Sequence, residues 1–189
     1  MSSKHRLLAL LGAGLTALAV SATAMGTASA ADVRQVQIRD DCDAATFNAP
    51  APAGVGPGTC VGNGKTTFAN FINEVIATHA AKRWVFKPEH AGADAGQKVV
   101  ATNRGGELHT FTCVKSFGGG VVKPLNAILG LTNTPAVPCD FASVFDAVGP
   151  TAVAPGTSSK PVTLGSSGTV MFQCLIHPWM RTTFQIEHS

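Results

Sequence analysis

Tyrosine is absent from this chain, and charged side chains make up only 13% of its 189 residues. Fourteen basic against eleven acidic residues leave a net charge of +3, which gives no support to nucleic-acid binding, a function that leans on clustered positive charge. No C-x-x-C-H occurs, so a c-type haem is excluded. No second Cys/His pair stands at the spacing of a structural zinc site. There is no carboxylate pair or Ser/His/Asp arrangement that would suggest hydrolysis. One stretch, Gly62-Asn63-Gly64-Lys65-Thr66-Thr67, imitates the end of a phosphate-binding loop. The full pattern needs a glycine five residues before Gly64, where Thr59 stands instead. A helix N-cap at Thr66 or Thr67 is the simpler account, and nucleotide binding is dismissed.

Long apolar runs are missing too, except at the start. Lys4, His5 and Arg6 form a basic head, Leu7–Val20 is apolar apart from Gly and Thr, and Ala28-Ser29-Ala30 offers small residues for cleavage. The pattern is that of a signal peptide, residues 1–30, cut before Ala31. The rival, an uncleaved anchor, is disfavoured because Ser21–Ala30 is small and weakly hydrophobic. Cleavage would remove Lys4 and Arg6, leaving 12 basic and 11 acidic side chains, and a chain long enough for one core. A secreted or periplasmic, cell-envelope location follows, with no integral membrane anchor expected.

What is present is an odd set of five cysteines. In an exported chain at least one must lie outside intramolecular pairing. Proximity in sequence pairs Cys42 with Cys60 across a Pro/Gly-rich loop, and Cys113 with Cys139, although four cysteines allow three connectivities. Cys174 is left over. Residues 31–81 read as an N-terminal extension, with Asp40, Asp41 and Asp43 in a solvated turn. Phe68, Phe71, Ile72, Val75 and Ile76 recur at helical spacing, predicting one amphipathic helix over about 66–81, with His79 solvated or capping at its end.

From residue 82 to 189 the period changes to that of strands. Trp84–Phe86, Gln97–Thr102, Glu107–Val114, Lys160–Leu164, Thr169–Cys174 and Arg181–Glu187 are predicted strands, and Leu125–Leu129 a helical turn. Gly/Pro punctuation between them points to an all-β antiparallel sandwich. His90 and His188 read as solvated loop and terminal residues.

The segment Cys174-Leu175-Ile176-His177-Pro178-Trp179-Met180 places a thiolate, an imidazole and a thioether within seven residues. Cys with two His in a plane and a weak axial Met is the ligand set of a blue-copper site. The second histidine is expected to be His109, on a strand whose alternation turns His109, Phe111 and Cys113 to one face. Val170, Phe172 and Cys174 share a face of their own strand. Pro178 restricts His177 to an extended backbone and stiffens the loop.

These motifs resemble the cupredoxin family, the small type 1 copper proteins, most closely amicyanin and plastocyanin-like domains. The likeness runs from about Trp84 to Glu187, through Asn103-x5-His109-Thr-Phe-Thr, Pro155-Gly156, and Gly168-x3-Phe172-x-Cys174-x2-His177-Pro178-x-Met180. It implies a Greek-key β-sandwich binding one copper ion through His109, Cys174, His177 and axial Met180. It also implies an electron port at a surface-near His177 edge, with redox partners docking by His177 and Trp179. Thr110 departs from the pattern, since many members carry Asn after the first histidine and use it to tie the two ligand loops together. The expected function is one-electron transport between redox proteins, not catalysis. Copper storage, buffering or delivery is the alternative, disfavoured by a mature chain with only two Met.

Overall fold

The computed structural model describes residues 33–187; the signal-peptide reading of residues 1–30 and the reading of His188 lie outside them. Two sheets enclose the main apolar core, and a smaller cluster of Val114, Ala136, Val144, Ala147 and Leu175 lies apart from it. The first is built from β1 (Val33–Arg39), β2 (Val85–Lys87), β4 (Lys98–Asn103) and β9 (Val162–Thr163), in the order β2-β1-β4-β9. The second orders β3 (His90–Asp94), β11 (Arg181–Glu187), β10 (Gly168–Gln173), β6 (Thr112–Ser116) and β7 (Val137–Pro138) as β3-β11-β10-β6-β7. A short pair, β5 (His109–Thr110) with β8 (Ala152–Val153), stands apart at one end. Most pairings are antiparallel; β1 with β4 and β11 with β3 are parallel. The architecture is the expected β-sandwich.

Alternation explains why these segments are strands. In β1, Val36 and Ile38 are buried while Gln35 and Gln37 face out, and in β11 Thr182, Phe184 and Ile186 point in. Phe86 from the first sheet meets Phe111, which stacks on Phe172 of the second at a centroid distance of 4.2 Å. The two inner faces therefore interlock through aromatic rings, which a chain without tyrosine supplies as phenylalanine.

Three features of the fold depart from expectation. β1 was not anticipated, and it lies between β2 and β4, so residues 31–81 contribute an internal strand of the sandwich rather than an appendage. The predicted strand over 107–114 breaks at Phe111, whose N–H goes to the Thr151 carbonyl, so that β5 and β6 pair with different partners. Cys113 is in consequence half-buried rather than facing fully inward. His90 belongs to β3 rather than a loop; it is exposed, with Nδ1 2.6 Å from the Thr183 hydroxyl.

The helices are α1 (Ala44–Phe47), α2 (Phe68–Thr78), α3 (Lys123–Ile128) and α4 (Val144–Val148). α2 is the predicted amphipathic helix. Thr67 caps it by accepting the Asn70 N–H, and His79 ends it in the left-handed conformation. Its Phe71 packs into a cluster with Phe47 and Trp84. Both disulfides, Cys42–Cys60 and Cys113–Cys139, form as paired from the sequence. The first closes a loop of 18 residues, which contributes about 3 kcal/mol on the chain-entropy model. Among the described residues no helix is long and apolar enough to cross a membrane.

Candidate metal centre

β5 and the turn after β10 meet at one end of the sandwich. The turn before β5 is fixed by buried Asn103, whose amide donates to the Glu107 and Val153 carbonyls and whose oxygen accepts from Gly105 N–H. Asp40, at the end of β1, reaches into this turn and accepts from Gly106 N–H (2.9 Å), Glu107 N–H (3.1 Å) and His109 Nε2–H (2.9 Å). Any side chain at Gly105 would collide with the Asp40 carboxylate, so the close approach requires glycine there. The Asp40 side chain is only 1% exposed.

That carboxylate settles the state of His109. Burial would raise the Asp40 pKa, but the bonds from His109, Gly106 and Glu107 outweigh it and hold the group at about 2. An ionised carboxylate can only accept, so the proton sits on His109 Nε2. A neutral His109 then presents Nδ1 as a free electron pair. Burial also opposes charge on His109, yet Asp40 and the Cys174 sulfur raise its pKa to about 9 in the metal-free chain.

On the other loop the chain folds back on itself. Cys174 N–H donates to the Met180 carbonyl (3.0 Å) and Met180 N–H to the His177 carbonyl (2.9 Å), closing the loop into a ring. Arg181 Nε donates to the Pro178 carbonyl, and the Gln173 amide bonds both backbone groups of Gly118. The Cys174 sulfur accepts from His177 N–H (3.4 Å) and Thr110 N–H (3.5 Å). Thr110 Oγ1 accepts the Leu175 N–H at 2.8 Å. Thr110 thus ties the two loops together through its side chain as well as its backbone. Burial works against ionising Cys174, but the two imidazoles prevail and push its pKa well below that of an ordinary thiol.

The donor atoms converge. Cys174 Sγ lies 3.8 Å from His109 Nδ1 and 3.9 Å from His177 Nδ1, and the two nitrogens are 3.3 Å apart. A point equidistant from the three lies about 2.1 Å from each, within the range of bonds from a first-row metal to nitrogen and sulfur. All three residues are buried. Met180 belongs to the same loop and is buried, its backbone bonded to both Cys174 and His177. A second acidic group, Asp40, Cys42 and Glu107, offers no comparable set, because Cys42 is in a disulfide.

Sequence reasoning missed two carboxylates. Asp40 was read as part of a solvated turn; Asp41 does pair at the surface with Arg83 and Asp43 caps α1, but Asp40 is the partner of His109. Glu107 is also buried. It accepts the Trp84 indole N–H through Oε2, which stands 3.9 Å from His177 Nε2. Burial raises its pKa despite the opposing pull of His177 and Trp84. No local pattern marks either residue, since their partners come from distant segments. The expectation of a surface-near His177 is corrected as well. His177 is 4% exposed, covered by Phe71 of α2 and by Trp179, at ring distances of 6.1 and 5.5 Å.

No family model and no curated protein matches the chain. Solved structures do. A purple cupredoxin from Nitrosopumilus maritimus aligns with 81% of this chain and 98% of its own, at 10% identity and a TM-score of 0.39. Amicyanin from Paracoccus versutus aligns over 57% of this chain and 77% of its own, at 16% identity and a TM-score of 0.35. These structural neighbours are cupredoxins. A copper-containing nitrite reductase from Thermus scotoductus SA-01 is similar over 56% of this chain and 20% of its own, with 13% identity and a TM-score of 0.34. Likeness this shallow carries no residue's role across, and the chemistry rests on the donors themselves.

Proposed function

We propose that this chain is an exported blue-copper protein that carries single electrons between redox partners. His109, Cys174 and His177 would hold one type 1 copper ion, with Met180 of the same loop as the weaker fourth ligand. The observation that carries the reading is the triangle of one sulfur and two nitrogens, 3.3 to 3.9 Å on a side and closed off from solvent. Soft thiolate with two imidazoles is the donor chemistry that selects copper for electron transfer. Copper bound there supplies a one-electron couple between its Cu(I) and Cu(II) states.

The chain's own part is to keep the donors where they are. Asp40 fixes the His109 tautomer and ring plane, and through Nε2–H makes Nδ1 a stronger donor. Thr110 and His177 donate backbone N–H groups to Cys174 Sγ, drawing charge off the sulfur and tuning the couple. The closed Cys174–Met180 ring resists rearrangement when the charge at the centre changes. Such burial suits transfer better than storage or delivery, because a delivery site must expose its metal to hand it over. The reading is accordingly a carrier and not an enzyme.

Residues 1–30, taken as a signal cleaved near Ala30, and two disulfides support work outside the cytoplasm, in the cell envelope or secreted. The ligands all fall in the proposed cupredoxin-like unit, residues 82–189, and the extension, 31–81, adds Asp40 and the covering helix. Since α2 covers His177, a redox partner would dock over half-buried Trp179, whose ring is 5.5 Å from the His177 imidazole. The test is a visible spectrum of the mature protein with Cu(II), then with reductant. An intense blue band that bleaches on reduction and returns on oxidation is expected. Metal bound without that band would overturn the reading.

A further inference from the structure

The turn before β5 packs backbone to backbone on the turn at Gly62–Gly64. Val61 N–H donates to the Gly106 carbonyl at 2.8 Å, and Cys60 bridges Glu107 in antiparallel pairing. A side chain at Gly106 would strike the Gly62 backbone and the Cys42 sulfur, so the two turns touch where only glycine fits. The Cys42–Cys60 disulfide ties the same junction. The glycine-rich stretch that imitates a phosphate loop is therefore one wall of a fixed surface. Its other wall runs straight on into His109.

That surface has an apolar edge and a cationic cleft. Val61 and Leu108 are 70% and 47% exposed, and the pairing sets Val61 opposite Gly106, two residues before Leu108. Adjoining this edge through Gly62 and Gly106 is a cleft of about 400 Å³, lined also by Lys65, Arg83, Arg104, Asp40 and Asp41. Its charges are sorted by depth. The Asp40 side chain is 1% exposed and bonded to His109, and Asp41 is 22% exposed and paired with the outer Arg83. Lys65 and Arg104 are exposed, and their side chains pair with no carboxylate among the described residues. What the cleft presents to solvent is positive charge.

Both parts lie few bonds from His109. Leu108 is its neighbour in the chain, and Asp41 adjoins Asp40, which holds His109 Nε2 through a 2.9 Å hydrogen bond. Electron tunnelling favours covalent and hydrogen-bonded routes over gaps. An apolar patch rimmed by charge has the form of a protein docking surface, and complementary charge steers the partner's approach. We propose that Val61 and Leu108, with Lys65, Arg83 and Arg104, form a docking face for the acidic surface of an electron-transfer protein. That the partner is a redox protein rests on the proposed function. A carrier meets a donor and an acceptor in turn, and this face, on the His109 side, is distinct from the one at Trp179.

The test is an NMR titration of the isotope-labelled mature protein, metal-free and Cu(I)-loaded, in about 10 mM salt, where charges are little screened. The probe is an oxidised plant-type ferredoxin, an acidic iron–sulfur protein whose low potential keeps it from oxidising Cu(I). The largest amide shifts are expected at Val61, Lys65, Arg104 and Leu108. Arg104→Glu and Lys65→Glu should each weaken Kd at least roughly fivefold, and about 0.3 M salt should erase the difference. Lys98→Glu makes the same change of charge at the far end of β4, roughly 20 Å along the strand, and should alter Kd less than about twofold. No binding, shifts centred on Trp179 instead, or equal effects of Arg104→Glu and Lys98→Glu would each overturn the proposal. The blue Cu(II) band, scored on the same preparation, keeps the two ideas apart. A band without docking defeats this face alone, whereas docking at this face without a band defeats the copper reading alone.

Discussion

Asp40→Asn is the most informative single change, because one carboxylate oxygen links the end of β1 to His109. In the metal-free chain the Asp40–His109 pair is charged on both sides. Asp40 is held at about 2 against an ordinary value of 3.8, and His109 at about 9 against 6.5. The two shifts share the Asp40–His109 contact and are not to be added; the Cys174 sulfur also holds His109 up, and the Gly106 and Glu107 N–H groups also hold Asp40 down. A depressed carboxylate stabilises fully above its unfolded pKa and loses that contribution as pH falls through the folded one, here from about 4 toward 2. A raised histidine stabilises fully below about 6.5 and loses its contribution as pH climbs through about 9. The pair therefore gives a plateau between about pH 4 and 6.5. The Asp40 side of the pair, from 3.8 to about 2, is worth about 2 kcal/mol. In a chain this long that is about 4–8 °C in Tm. Urea unfolding of metal-free protein, followed by the fluorescence of Trp84 and Trp179, should show the stability advantage of wild type over Asp40→Asn shrinking by about 2 kcal/mol between pH 5.5 and 9.5. Taking the difference between the two proteins cancels the Cys174 thiol, whose lowered pKa adds stability over the same range. With copper bound, the variant should bind metal about 10–100-fold more weakly and at a higher reduction potential, because a negative charge that favours Cu(II) is gone. If wild type and variant lose stability equally on going alkaline, the Asp40–His109 linkage is refuted.

Cys174→Ser should abolish the thiolate-to-copper colour, whereas Met180→Leu should keep copper and shift its potential; an intact blue band in the serine variant would sink the ligand assignment. Thr110→Val removes the acceptor of Leu175 N–H and strands a buried donor. It should destabilise by about 1–3 kcal/mol in denaturant titration. Phe71→Ala uncovers His177 and empties a core position, costing about 3–5 kcal/mol. In copper-loaded protein that still folds, it should speed stopped-flow reduction by a small hydrophilic reductant, and an unchanged rate would show that α2 does not shield the site.

The fold and the candidate site are legible in the sequence wherever partners are close along the chain. Cys174, His177 and Met180 are fixed by covalent spacing, and the ring of backbone bonds that orients them spans seven residues. α2 and most strands carry their own periodicity, and leftover Cys174 follows from counting cysteines. His109 could be named because it sits on a strand with a buried face, even though that strand breaks at Phe111, where pairing with Thr151 outweighs continuity. Greater separation hid the rest. β1 has only alternating Val36 and Ile38 to mark it, and its place between β2 and β4 is a matter of long-range pairing.

By itself the sequence determined the candidate donor set, since only particular side chains at particular spacings can offer a thiolate, two imidazoles and a thioether together. It determined the class of fold as well, through alternation and turn residues. Tertiary structure alone decided what surrounds those donors: Asp40 against His109 across 69 residues, Glu107 beside His177, and a helix laid over the histidine edge. A charge pair or a covering ring depends on where two distant backbones meet in space. That meeting is set by the packing of the whole core, which no local pattern records.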